Sequence, residues 1–176
     1  MNYLNSFSST TRKLIIATIA FLLYGYLCRL LGVYFFWESK TIGWLLFWVA
    51  AIFVLRDRIK SKKLQNKKAI LEKIGIGLSI LVILTKGAFL FATPQTNAYE
   101  TAVNFIKTNR NIQNDVDSVK GIFLVPFGSI TITNNSAGTV GQADLHFIVK
   151  GSKKYIDLNL LMNKEFDSNW QIEVAE

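Results

Sequence analysis

A chain of 176 residues with net charge +8, 51% hydrophobic residues and a mean hydropathy of +0.29 holds one or two domains and is too apolar to read as a wholly soluble protein. A single cysteine excludes an internal disulfide. Residues 1–93 hold 13 basic and 3 acidic groups, net +10, while residues 94–176 hold 7 and 9, net −2, so the basicity belongs to the apolar half.

In chain order, residues 14–36 (LIIATIAFLLYGYLCRLLGVYFF) are apolar except for Arg29, long enough at ~1.5 Å per residue to cross a hydrocarbon core of ~30 Å. No small-residue cleavage site follows, so the segment reads as an uncleaved anchor. Residues 42–55 (IGWLLFWVAAIFVL) form a second, shorter span, with Trp37, Trp44 and Trp48 resembling interfacial anchors. Residues 74–93 (IGIGLSILVILTKGAFLFAT) form a third that carries only Lys86 and stops before Pro94. The expected membrane domain is therefore 1–93, with three transmembrane α-helices.

Between the second and third spans lies RDRIKSKKLQNKKAILEK, residues 56–73, with eight Lys and Arg against two acids. Short basic loops stay on the cytoplasmic side, and Arg12 and Lys13 precede the first span. Three crossings from an inside N-terminus place residues 94–176 outside an inner, cytoplasmic membrane. A nucleic-acid partner is not expected, because the run adjoins membrane spans and has no interleaved aromatic for base stacking. Anionic lipid headgroups are the expected partner of this charge.

Arg29 and Lys86 are costly within apolar segments. Each lies seven or eight positions from the outer end of its span, where it can snorkel outward or contribute to a basic pocket for a lipid headgroup or a partner's carboxylate. Gly75 and Gly77 are candidates for close helix contact, though no GxxxG pattern is present.

After Pro94 the periodicity changes. Asn97 with Glu100 fits a capping box, and Ala98, Tyr99, Ala102, Val103, Phe105 and Ile106 recur at helical spacing to about Arg110. Residues 119–133 (VKGIFLVPFGSITIT) read as a strand, interrupted at Pro126 or Gly128, and NNSAG at 134–138 reads as a hairpin loop. In GQADLHFIVKG, Ala143, Leu145, Phe147 and Val149 face one way, and Gln142, Asp144, His146, Ile148 and Lys150 the other. Ile156, Leu158, Leu160 and Met162 line one face of the next strand, and a last strand places Trp170, Ile172 and Val174 together. The expected outer domain, 94–176, is α+β: one helix packed on an antiparallel meander of about four strands.

The order helix, NRNIQNDV, a strand pair joined through GQADLHFIVKGSKK, and a closing NWQIEV resembles the cytochrome oxidase complex assembly protein 1 domain over residues 97–175. That domain is related to a presequence-translocase subunit of the mitochondrial inner membrane. Gly141, Ala143, Val149, Lys150, Gly151 and Trp170 carry the resemblance. The chain departs from it at Val116-Asp117, where the family commonly has a Leu-Gly pair, and in its several spans. The resemblance implies a membrane-anchored module that binds subunits of a membrane protein complex during assembly, with no catalytic residues to transfer.

Catalytic chemistry is not expected. No phosphate loop, dinucleotide fingerprint or HExxH motif occurs, and no cofactor is implied. Cys28 falls in a span and His146 in the outer domain, so they build no copper or zinc site within one chain. Asp144 and His146, two apart on a strand, share a face, where a carboxylate can orient an imidazole. No motif marks a nucleophile beside them, and a solvated or contact face explains them better. The expected function is a non-enzymatic, membrane-anchored protein that binds partners through its outer domain. The alternatives are a sensor whose outer domain binds a ligand, and a membrane enzyme or transporter using Arg29 and Lys86.

Overall fold

The computed structural model describes residues 7–136, 138–166 and 168–175, and the chain divides into two compact units, Met1–Thr85 and Lys86–Glu176.

The first unit holds helices α1 (Ser9–Leu30) and α2 (Ser39–Leu64) and the start of α3 (Ile70–Ala92). Helix α1 begins at Ser8, whose hydroxyl accepts the Thr11 N–H. It ends at Leu30, six residues short of the expected limit. Gly32 there takes φ +64, and the Val33 N–H bonds back to the Cys28 carbonyl at 2.8 Å.

Helix α2 returns antiparallel along α1. A Cβ at Gly25 would lie 2.5 Å from Lys40 N, and one at Gly43 2.9 Å from the Leu22 side chain. These two glycines set the helix approach. Of the pair singled out from sequence, Gly75 does lie close to a neighbour, Leu55, and Gly77 has nothing within 4 Å. At the far end Asp57 of α2 accepts from the Ser8 N–H at 2.8 Å and the Thr11 hydroxyl at 2.7 Å. A carboxylate from one helix thus caps the other.

Among the described residues two helices, Ser9–Leu30 and Ile70–Gln95, are long and apolar enough to cross a membrane, not three. Residues 42–55 sit inside α2 between Lys40 and Arg56, and fourteen uncharged residues reach only about 21 Å against a core of ~30 Å. Residues 56–73 are also not a loop. Arg, Lys, Leu and Gln are good helix formers, so α2 continues through the basic run to Leu64. The chain turns only over residues 65–69, where Asn66 takes φ +54 and the Lys67 N–H bonds the Lys62 carbonyl.

The second unit starts at Lys86, within α3, and continues through a 3-10 turn at Thr93–Gln95, α4 (Asn97–Thr108), α5 (Arg110–Val116) and strands β1 (Gly121–Asn135), β2 (Gly138–Lys150), β3 (Tyr155–Lys164) and β4 (Gln171–Ala175). The cap of α4 is Thr96, one residue before the expected Asn97, with its hydroxyl accepting the Tyr99 N–H. The helical segment is two helices, not one. Asn109 leaves helical geometry, and its side-chain oxygen accepts the Asn111 and Ile112 N–H groups to start α5.

Helix α5 stops at Asp117, φ +55, a left-handed cap that glycine usually supplies. The turn after β2 meets this end: the Ser152 and Lys153 N–H groups donate to the Asp117 and Val116 carbonyls, and a Cβ at Gly151 would strike the Val116 carbonyl. The glycine in VKGSKK is what permits this approach.

The sheet is a four-stranded antiparallel meander in the order β1-β2-β3-β4. Its inner face buries Ala143, Leu145, Phe147 and Val149 with Leu158, Leu160 and Met162 against Ala98, Ala102 and Ile106 of α4 and Ile112 and Val116 of α5. Phe89 and Leu90 of α3 join the edge of this core. Trp170 lies just before β4 and covers Gly141, where a Cβ would be 2.7 Å from its ring, and Ile172 packs on the same core. The side chain of Val174, the third member of that expected trio, lies outside what is described.

Candidate functional site

The site forms where β1 departs from regular pairing. Leu124 pairs with Phe147 and Gly128 with Leu145, so β1 advances four residues while β2 advances two. The insertion is two residues long and keeps the inward alternation in phase on both sides: Leu124 and Ile130 both reach the core. Pro126 has no N–H to give a ladder, and Gly128 takes φ +133, where a Cβ would collide with the Asp144 carbonyl. The residues that broke the strand pattern in sequence are those that build the bulge.

The bulge turns the Pro126 carbonyl toward Lys86, whose Nζ donates to it at 2.8 Å and lies 5.6 Å from the Phe127 ring. Phe127 is 63% exposed, and its ring stands edge-on to His146, 5.1 Å between centroids. His146 Nε2 lies 3.3 Å from Asp144 Oδ1 without the alignment of a hydrogen bond. Across the ladder His146 pairs with Asn159 of β3. Among the described residues, Asp144 Oδ1, His146 Nε2 and Asn159 Oδ1 are each screened from solvent with no hydrogen-bond partner. Three such atoms on one sheet face, two of them 3.3 Å apart on half-buried side chains, leave hydrogen-bonding capacity there unused.

The same outer face continues past Ser129 and Asp144 to Thr131, Gln142 and Asn163, which line an open groove of about 390 Å³. Leu161 lies between, 37% exposed. Ser129, cross-strand from Asp144, makes no hydrogen bond to His146. No group of three His, Cys, Asp or Glu side chains converges among the described residues. The arrangement sets hydrogen-bond acceptors, an imidazole and an exposed ring together on one sheet face.

Three of the four residues singled out in sequence, Lys86, Asp144 and His146, therefore meet around Phe127. Arg29 belongs to the first unit, where its Nη1 donates to the Gly25 and Trp37 carbonyls at 2.9 Å each and its guanidinium lies 4.9 Å from the Trp37 ring. Each cation is held by backbone carbonyls within its own unit. Trp37 is accordingly buried, its ring N–H on the Val33 carbonyl, and is not an exposed anchor. Sequence reasoning missed Asn159 and Phe127 as site members. Asn159 alternates with the inward Leu158 and Leu160 of β3, and only the β2–β3 register sets it beside His146.

Compared with protein families, curated proteins and solved structures, the chain matches none. Its architecture defines a class: a helical unit with membrane-competent helices, joined to an α+β domain whose sheet has one face packed and one face bearing polar atoms without partners.

Proposed function

We propose that this is a non-catalytic, membrane-anchored protein whose C-terminal α+β domain docks a partner protein on the outer face of its sheet. The observation that carries the reading is the trio of atoms Asp144 Oδ1, His146 Nε2 and Asn159 Oδ1, screened from solvent without hydrogen-bond partners on half-buried side chains, beside the exposed rim of Phe127 and Leu161. A docked segment that supplies donors satisfies them, while the apolar rim excludes water around the contact. The resemblance to the cytochrome oxidase assembly domain makes a subunit of a respiratory membrane complex the expected partner.

The anchoring rests on α1 and α3, the helices long and apolar enough to cross a membrane, with α2 returning antiparallel beside α1. Helices α1 and α3 both begin at the end that carries Arg12, Lys13 and the basic run, so the positive-inside rule sets that end in the cytosol. The C-terminal domain then lies across the inner membrane.

Isolation of the intact protein in mild detergent, beside His146→Ala and Asn159→Ala, tests the docking. A membrane-complex subunit that accompanies the wild type and is lost from both folded variants is the expected result. If removal of residues 97–176 leaves the abundance of membrane complexes unchanged, the reading fails. The polar groove at Thr131, Gln142 and Asn163 favours one second reading, a sensor domain for a small polar ligand. A ligand bound there with no partner protein would replace the first.

A further inference from the structure

We infer that the tip joining α2 to α3 is a binding site for anionic phospholipid headgroups. Both acids of the basic run are engaged inside the fold. Asp57 caps α1, and Glu72 is buried against Lys62. What remains outward is almost purely cationic: Arg58, Lys60 and Lys63 on the last turns of α2, Lys67 and Lys68 in the turn, and Lys73 at the start of α3 are all exposed. The fold thus converts a run of eight bases and two acids into a predominantly positive surface.

A second feature, continuous with the apolar start of α3, points to lipid. Leu64, Ile70 and Leu71 flank the turn and are 88%, 61% and 77% exposed. Solvated aliphatic side chains among lysines are unfavourable in water. They are suited to a bilayer interface, where the aliphatics enter between headgroups and the cations meet phosphates. Phosphates in a plane match cations spread over two helix ends and a turn, whereas a single free phosphate reaches only a few of them. Nucleic acid matches the charge but gives the three aliphatics no role. This inference rests on the membrane anchoring proposed above and not on the docking domain.

The test is native mass spectrometry of the full-length protein in neutral detergent with equimolar phosphatidylglycerol and phosphatidylcholine. Phosphatidylglycerol is expected to be retained preferentially. Each surface lysine near anionic lipid contributes about fivefold, so Lys63→Gln/Lys67→Gln/Lys68→Gln is expected to reduce retention by about 100-fold. Leu64→Gln/Leu71→Gln is expected to weaken it with every cation in place. Lys107→Gln/Lys120→Gln/Lys153→Gln, the same charge change on exposed residues of the other unit, is expected to leave it unchanged. Circular dichroism verifies that the helices persist in each variant. Equal retention of the two lipids overturns the inference, as does undiminished retention in the folded tip variant or equal loss in the distal one. Displacement by 10 mM inorganic phosphate assigns the surface to free phosphate, and stoichiometric displacement by an RNA oligonucleotide assigns it to nucleic acid; either outcome overturns it too.

Discussion

Gly128→Ala is the sharpest perturbation of the site. The residue sits at φ +133, a region essentially reserved for glycine, and forcing a side chain into it costs about 1–3 kcal/mol. The new Cβ would also lie 2.1 Å from the Asp144 carbonyl, and overpacking against backbone adds about 1–3 kcal/mol. The sum is about 2–6 kcal/mol. A unit of 91 residues, Lys86 to Glu176, has a total stability of about 5–14 kcal/mol, so the substitution removes a large part of it. Gly87→Ala is the control, because nothing lies within 4 Å of its added methyl and a helical alanine is up to ~1 kcal/mol better than glycine. Hydrogen exchange by mass spectrometry of the β2 peptide covering 145–149 reads both changes within the intact protein. Exchange there is expected to quicken at least ~30-fold in Gly128→Ala and to stay level or slow in Gly87→Ala. An increase below ~3-fold in Gly128→Ala would refute the reading of the bulge as a glycine-dependent backbone approach.

Gly25→Ala forces α1 from the Lys40 backbone and should cost a net ~1–2 kcal/mol, read as a lower melting temperature of the helical signal, whereas Gly77→Ala should cost nothing. Hydrogen bonds onto the Asp57 carboxylate, the Ser8 N–H foremost and then Thr11, hold its pKa below the usual carboxylate value. A group with a lowered folded pKa stabilises fully above its unfolded value of about 3.9 and loses that contribution as pH falls through the folded value. Thermal unfolding between pH 7 and 3 should therefore show helix stability steady to about pH 5 and declining below about 4, with the decline diminished in Asp57→Asn. Trp170→Ala uncovers Gly141 and the end of the inner face, and should cost about 3–5 kcal/mol by the same exchange measurement on β2.

The parts of the fold legible in sequence were those fixed by local pattern. Apolar runs marked α1 and α3, alternation gave the two faces of β2 and β3, and turn residues separated four strands in meander order. Pro126 and Gly128 marked the bulge because their backbones cannot sit in a regular central ladder. Lys86, Asp144 and His146 stood out by charge or chemistry, but nothing local showed that they share one place.

The sequence by itself determined which stretches are apolar, which end of the helical half is cationic and which side of each strand is hydrophobic, because these depend on residues a few positions apart. Only the tertiary structure decided that α2 continues through the basic run, that Asp57 caps α1 across 46 residues, and that Asn159 and Phe127 complete the surface around His146. Those outcomes depend on register and on partners distant in the chain, where a carboxylate or an amide is placed by the packing of whole elements and not by its neighbours.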